Sequence, residues 1–149
     1  MKRRGFTLVE IMIVVAIIAL LAAIAIPNLL RARLAANESA AIAALKTLSS
    51  AAHTFRSANP GYPACLTTLY DGLTPPYIDS VLAGGTKQGY QFSLIGTNND
   101  TNDNPQGFDA NAWPVTPGTT GNRRFFVDTS GVIRYNTTGN ATLTDAPLE

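Results

Sequence analysis

The hydropathy pattern changes twice along the chain. From Ile11 to Ile26 there are sixteen residues without a polar side chain. As a helix, Phe6–Ile26 extends about 31 Å at 1.5 Å per residue, the thickness of a bilayer's hydrocarbon core. After Pro27 the pattern becomes amphipathic. Leu34, Ala41, Ile42, Leu45, Leu48, Ala52 and Phe55 fall on one stripe, with Arg31, Asn37, Lys46, Ser50, His53 and Ser57 on other faces. Asn59-Pro60-Gly61 stops this pattern. Beyond it the segments are short. Pro60–Pro76 reads as a loop with one helical turn, and Tyr77–Leu82 as a short helix ended by Gly84-Gly85. Tyr90–Leu94 alternates as a strand should, and Phe108–Trp113 does so more weakly. Arg124–Asp128 and Val132–Tyr135 flank the turn Thr129-Ser130-Gly131. The expectation is an α+β protein: a long N-terminal helix, then an antiparallel sheet of three or four strands. The apolar face of that sheet (Phe92, Phe125, Val127, Ile133 and Trp113) should pack on the Ile42–Phe55 stripe.

Composition supports the division. Residues 1–59 hold one Pro and one Gly, whereas residues 60–149 hold eight Pro and eleven Gly. Helix therefore belongs to the first part and strands and turns to the second. Among 149 residues, eleven basic and ten acidic side chains leave a formal charge of +1, which argues against nucleic-acid binding driven by bulk charge. One cysteine and one histidine leave no material for a zinc cluster, an intrachain disulfide or a Cys–His catalytic set. No nucleophile–base pair or phosphate loop is present, so the sequence does not read as an enzyme.

Lys2, Arg3 and Arg4 precede the apolar run and should stay on the cytoplasmic side of a membrane, with the rest of the chain outside. Two processing routes then compete. Ala23-Ile24-Ala25 has the form of a secretory cleavage site and would give an Ile26 start. Against it stands Glu10, a carboxylate inside the apolar run that an export signal does not need. Such a group in an apolar environment requires a partner. Thr7-x-x-Glu10 also fits a capping box, in which Glu10 caps its own helix. Pro27 lacks an N–H and should kink or loosen the helix near Ala22–Pro27; a helix that simply starts anew there is the alternative. A helix over Phe6–Ser57 would reach about 78 Å, and half of it must be buried by something other than its own domain.

Gly5-Phe6-Thr7-Leu8-Val9-Glu10, behind a basic leader and ahead of an apolar helix with a distal Pro, resembles the type IV pilin and pseudopilin family. The resemblance is specific over residues 1–30 and extends to about residue 57. It implies a ladle-like fold: leader peptide 1–5, long helix 6–57 (6–26 transmembrane and filament core, 27–57 amphipathic) and β-sheet head 58–149. It also implies that a prepilin peptidase cuts between Gly5 and Phe6 and methylates the new Phe6 amino group. Glu10 would then pair with the Phe6 terminus of a neighbouring subunit, and Pro27 would mark a local melt that helps subunits pack. The mature chain would carry eight basic against ten acidic residues, −2 from side chains.

Further implications of the resemblance concern partners and place. The subunit would wait in the inner membrane and form a helical homo-oligomer. An assembly ATPase, a platform protein and an outer-membrane secretin would serve it. The product would be an extracellular pilus for motility, adhesion or DNA uptake, or a periplasmic pseudopilus of type II secretion. The competing class is a secreted or membrane-anchored binding domain that never polymerises.

The head offers weaker candidates. Asp100-x-Asn102-x-Asn104 partly matches a calcium loop, which makes Asp100, Asn102, Asp103 and Asp109 metal candidates. Gly107 comes a residue late, however, and no bidentate Glu follows, so a solvated loop is the favoured reading. Arg123, Arg124 and Arg134 could form a small basic patch for nucleic acid, against solvated arginines on a hairpin. His53 reads as solvated or locally hydrogen-bonded. Cys65, unpaired in an exported chain, is expected to be a buried thiol rather than an intersubunit bridge. Asn136-Thr137-Thr138 and Asn140-Ala141-Thr142 have the form of glycosylation acceptors.

Overall fold

The computed structural model describes Phe6–Leu148. It holds two compact units, one running up to Arg33 and one from Leu34 onward. Helix α1, Leu8–Ala58, runs through both. It begins at Leu8 rather than Phe6 because Thr7 caps it. At its other end the Asn59 side chain donates to the Phe55 carbonyl, just before Pro60 forbids another turn.

In the second unit a helical turn at Thr67–Leu69 and the short helix α2, Ser80–Ala83, precede the sheet. α2 starts three residues later than the pattern suggests because Asp79 is its cap. Its carboxylate accepts from Leu82 N at 2.8 Å. The sheet has five strands: β1 (Thr86–Lys87), β2 (Tyr90–Asn99), β3 (Pro105–Pro114), β4 (Arg124–Asp128) and β5 (Arg134–Asn136). Their order is β1-β2-β3-β4-β5 and every neighbouring pair is antiparallel. β1 is the strand beyond the sequence signals, being too short for an alternation to show, and β5 begins two residues after the expected Val132.

The pairing Phe92↔Ala112↔Phe125 and Leu94↔Ala110↔Val127 puts these residues on one face. They join one core with Ala41, Ala44, Leu45, Leu48, Ala52 and Phe55 of α1, and with Phe108 and Ile133. The amphipathic stripe therefore packs where its periodicity places it. Trp113 does not. Ala110 and Ala112 face inward, so the pleat turns Trp113 to the opposite face, where its indole N–H donates to Gln91 on the neighbouring strand at 2.8 Å. Phe126 is also buried on that opposite face, outside the main core.

Two glycines meet specific demands. Gly131 closes the β4–β5 turn at φ +72°, and a Cβ on Gly121 would collide with the Tyr90 ring. Cys65 corrects another expectation: it is exposed, not buried. It lies in a bridge to Ile95 at the rim, where the Thr67 and Thr68 hydroxyls contact its sulfur at 3.1 and 3.2 Å and lower its pKa.

Candidate functional site

The unit up to Arg33 presents an apolar surface of unusual size. Sixteen large apolar side chains between Phe6 and Leu30 are 49–84% exposed. They occupy every side of the helix, the pattern of a segment meant for lipid or for other helices. The helix is long and apolar enough to cross a membrane. At roughly 1.5–3 kcal/mol for each fully buried side chain, leaving this set in water costs on the order of tens of kcal/mol. That exceeds the ~5–15 kcal/mol by which a domain is normally stable.

Glu10 sits at the start of this surface. The Thr7 N–H and the Thr7 hydroxyl both donate to its Oε2 at 2.8 Å, and Glu10 N donates back to Thr7 Oγ1 at 3.3 Å. This is the reciprocal capping box. Among the described residues those are its only hydrogen bonds, and no cation reaches it. Phe6 is 84% exposed beside it. Met1–Gly5, and with them one side of the expected cleavage bond, lie outside the described residues. Pro27 neither ends nor restarts the helix, which stays helical through it. One missing N–H removes a single bond there, and the flanking turns keep theirs.

The unit from Leu34 onward contains a second carboxylate with the opposite treatment, one that sequence reasoning missed. Glu38 is only 8% exposed. Its Oε1 accepts from the backbone N–H of Asn122 at 2.9 Å and of Arg123 at 3.2 Å. Its Oε2 accepts from Arg123 Nε at 2.7 Å. Burial alone would raise its pKa; the bonds from Asn122 and Arg123 outweigh that and hold it below the usual glutamate range. Asn37 adds a bond to Thr120 O at 2.9 Å. The loop between β3 and β4 is thus clasped to α1. The available signal was a Glu at helical spacing between Leu34 and Ala41 of the apolar stripe.

The clasp corrects the basic patch. Arg123 is an ion-pair partner, with its guanidinium 5.5 Å from both the Phe125 and Tyr135 ring centres. Arg134 bonds to the Asp145 carbonyl at 2.9 Å, and Arg124 reaches only Thr138 O at 3.4 Å. His53 is exposed and shares a hydrogen bond with the Tyr62 hydroxyl at 3.2 Å.

The calcium candidates are not brought together. Asp100 Oδ1 accepts from Asn102 N and Asn104 N at 2.8 and 2.9 Å, which closes its own turn and lowers its pKa. Asp103 accepts from Asn99, and Asp109 lies up β3 opposite Asp128. Burial, then Asp128, pushes the Asp109 pKa up. Among the described residues no group of three or more His, Cys, Asp or Glu could hold a metal. Asn136 is bonded to Asp145, Thr138 and Gly139.

Residues 1–26 match the prokaryotic N-terminal methylation motif. The chain is 34% identical over 89 residues to the type II secretion system core protein G of Escherichia coli, covering 60% of this chain and 61% of that one. It is 49% identical over 61 residues to the type IV major pilin protein PilA of Myxococcus xanthus, covering 41% of this chain and 28% of that one. It is 37% identical over 90 residues to the type IV wide pilus major component of Thermus thermophilus, covering 58% of this chain and 69% of that one. The chain thus spans less than two thirds of the first two relatives. No solved structure matches at comparable significance.

Proposed function

The chain belongs to the type IV pilin and type II secretion pseudopilin family, and from that premise we propose that it is the repeating subunit of a type IV pilus. The observation that carries the proposal is the exposed apolar stretch of α1 with a carboxylate at its start that, among the described residues, meets no cation. In the inner membrane, lipid covers that stretch. In a filament, the same stretch of neighbouring subunits covers it, so extraction exchanges one apolar environment for another at small net cost.

Prepilin peptidase cuts after Gly5, and the methylated Phe6 ammonium of one subunit neutralises Glu10 of the next. The capping bonds from Thr7 occupy Oε2 and leave Oε1 for that partner. Pro27 gives a point where the helix opens at low cost during packing, since one hydrogen bond is already missing there. An assembly ATPase, a platform protein and a secretin serve extraction and export; adhesion, motility or DNA uptake are the outputs.

A second reading, a type II secretion pseudopilin in a periplasmic filament, is favoured by the match to core protein G over 60% of this chain. One experiment separates the readings. Surface fibres sheared from the native host are imaged, and their subunit is read by N-terminal mass spectrometry. Fibres built of a chain starting at methylated Phe6 support the pilus. The same start with no surface fibre and a secretion defect on deletion supports the pseudopilus. An Ile26 start overturns both.

A further inference from the structure

The face of the sheet turned away from α1 carries a cleft that neither the apolar helix nor the Glu38 clasp uses. Its volume is about 380 Å³, at the lower end of the range for small-ligand sites. Ser93 of β2, Asn111 and Trp113 of β3 and Arg124 of β4 line it side by side. Asn140 closes it from the segment after β5. These strand residues alternate with the core residues Phe92, Ala112 and Phe125, which is why they share the outer face.

We propose that this cleft binds an acidic sugar residue of a glycan, with the sugar's C–H face on Trp113 and its carboxylate on Arg124. A pyranose presents a weakly positive C–H face and an edge of hydroxyls. The negative face of an aromatic ring suits the first, and short planar amides suit the second. Trp113 is a rigid plate because its N–H is bonded to Gln91. Among the described residues, the side chains of Ser93, Asn111 and Asn140 make no hydrogen bond, and each offers both a donor and an acceptor. Among the described residues Arg124 meets no carboxylate. Its one bond, to Thr138 O at 3.4 Å, leaves most of its planar donor fork for a bidentate anion.

A nucleic acid fits this cleft less well. A phosphate backbone needs a track of cations. Arg123 is already bonded to Glu38, and Asp109 and Asp128 stand on the same outer face. The inference rests on the head alone and is independent of whether the filament is a pilus or a pseudopilus.

Trp113 is the chain's one tryptophan, so its emission reports this cleft without interference. The full chain, in a zwitterionic detergent free of sugar headgroups, is titrated with a glucuronic-acid-terminated disaccharide. A saturable change is expected, about tenfold weaker with the glucose-terminated analogue and about tenfold weaker in Arg124→Gln. Asn140→Ala, in an exposed loop, should weaken binding too and keeps the test open if Arg124→Gln fails to fold. In Trp113→Phe, saturation-transfer NMR should show loss of signal from the sugar ring protons. The proposal is overturned by equal response to the two disaccharides, a change reproduced by inorganic phosphate alone, or tighter binding of a thymidine decamer. Unaltered binding in both Arg124→Gln and Asn140→Ala, retained ring transfer in Trp113→Phe, or no saturable change also overturns it.

Discussion

Two glutamates on one helix are treated in opposite ways. Glu38 is buried, and its chain supplies two backbone N–H groups and an arginine for it. Glu10 stands at the head of an apolar surface, and among the described residues only Thr7 bonds its carboxylate. The difference is one of completeness. A buried carboxylate must be satisfied by hydrogen bonds or a cation. From Leu34 onward the chain meets that demand internally and folds as a finished unit. Up to Arg33 Glu10 is exposed and, among the described residues, meets no cation; in the proposed filament a neighbouring subunit supplies one.

Breaking that contrast at Glu10 should have the largest effect. Glu10→Gln keeps an acceptor for Thr7 but cannot neutralise an ammonium. Removing one partner of a desolvated pair costs about 3–5 kcal/mol. Sheared-fibre yield should fall more than tenfold, while thermal unfolding of the head is unchanged. Parental fibre yield in this variant would refute the intersubunit pair and leave capping as the whole role of Glu10.

Leu48→Ala should do the reverse. Leu48 is fully buried in the head core, and such truncations cost about 2–5 kcal/mol. The expected result is a lower midpoint in chemical denaturation, with membrane insertion through residues 8–26 intact. Glu38→Gln should cost less, about 1–3 kcal/mol, by weakening the hold on Arg123 and the loop that carries it. Because the folded-state pKa of Glu38 lies below its ordinary value, its contribution is present above the ordinary glutamate range. It is lost as pH falls through the lowered value. Denaturation midpoints measured across the acid range should lose that component in Glu38→Gln.

Asp109→Asn is the smallest change and has the opposite sign. The folded-state pKa of Asp109 is raised, so its protonated form suits the fold and stability is lost as pH rises through that value. At neutral pH the substitution should stabilise the head by about 0.2–1 kcal/mol, by removing a partly buried charge and its repulsion with Asp128. The gain should vanish in acid; a gain independent of pH would assign the effect to packing instead.

Much of this was legible in the residue order. Ile11–Ile26 announces a span by length and composition alone, and Thr7-x-x-Glu10 announces the cap. The stripe from Ala41 to Phe55 announces the helix face that meets the sheet. What could not be read depended on parity or on distant partners. Trp113 looked like a core residue until the register of β3 turned it outward. Cys65 looked like a small hydrophobe until the bridge to Ile95 held it at the rim, against two hydroxyls.

By itself the sequence determined the local terms: which stretch prefers lipid or its own copies, where a helix starts, and where proline and glycine stop it. These follow from transfer energies and backbone conformation, which act over a few neighbouring residues. Only the tertiary structure decided that Glu38 meets Arg123, that β1 adds an edge to the sheet, and that Ser93, Asn111, Trp113, Arg124 and Asn140 share one cleft. Those outcomes require segments far apart in the chain to arrive at one place. The pairing register that brings them there is set by the packed core as a whole rather than by any window of sequence.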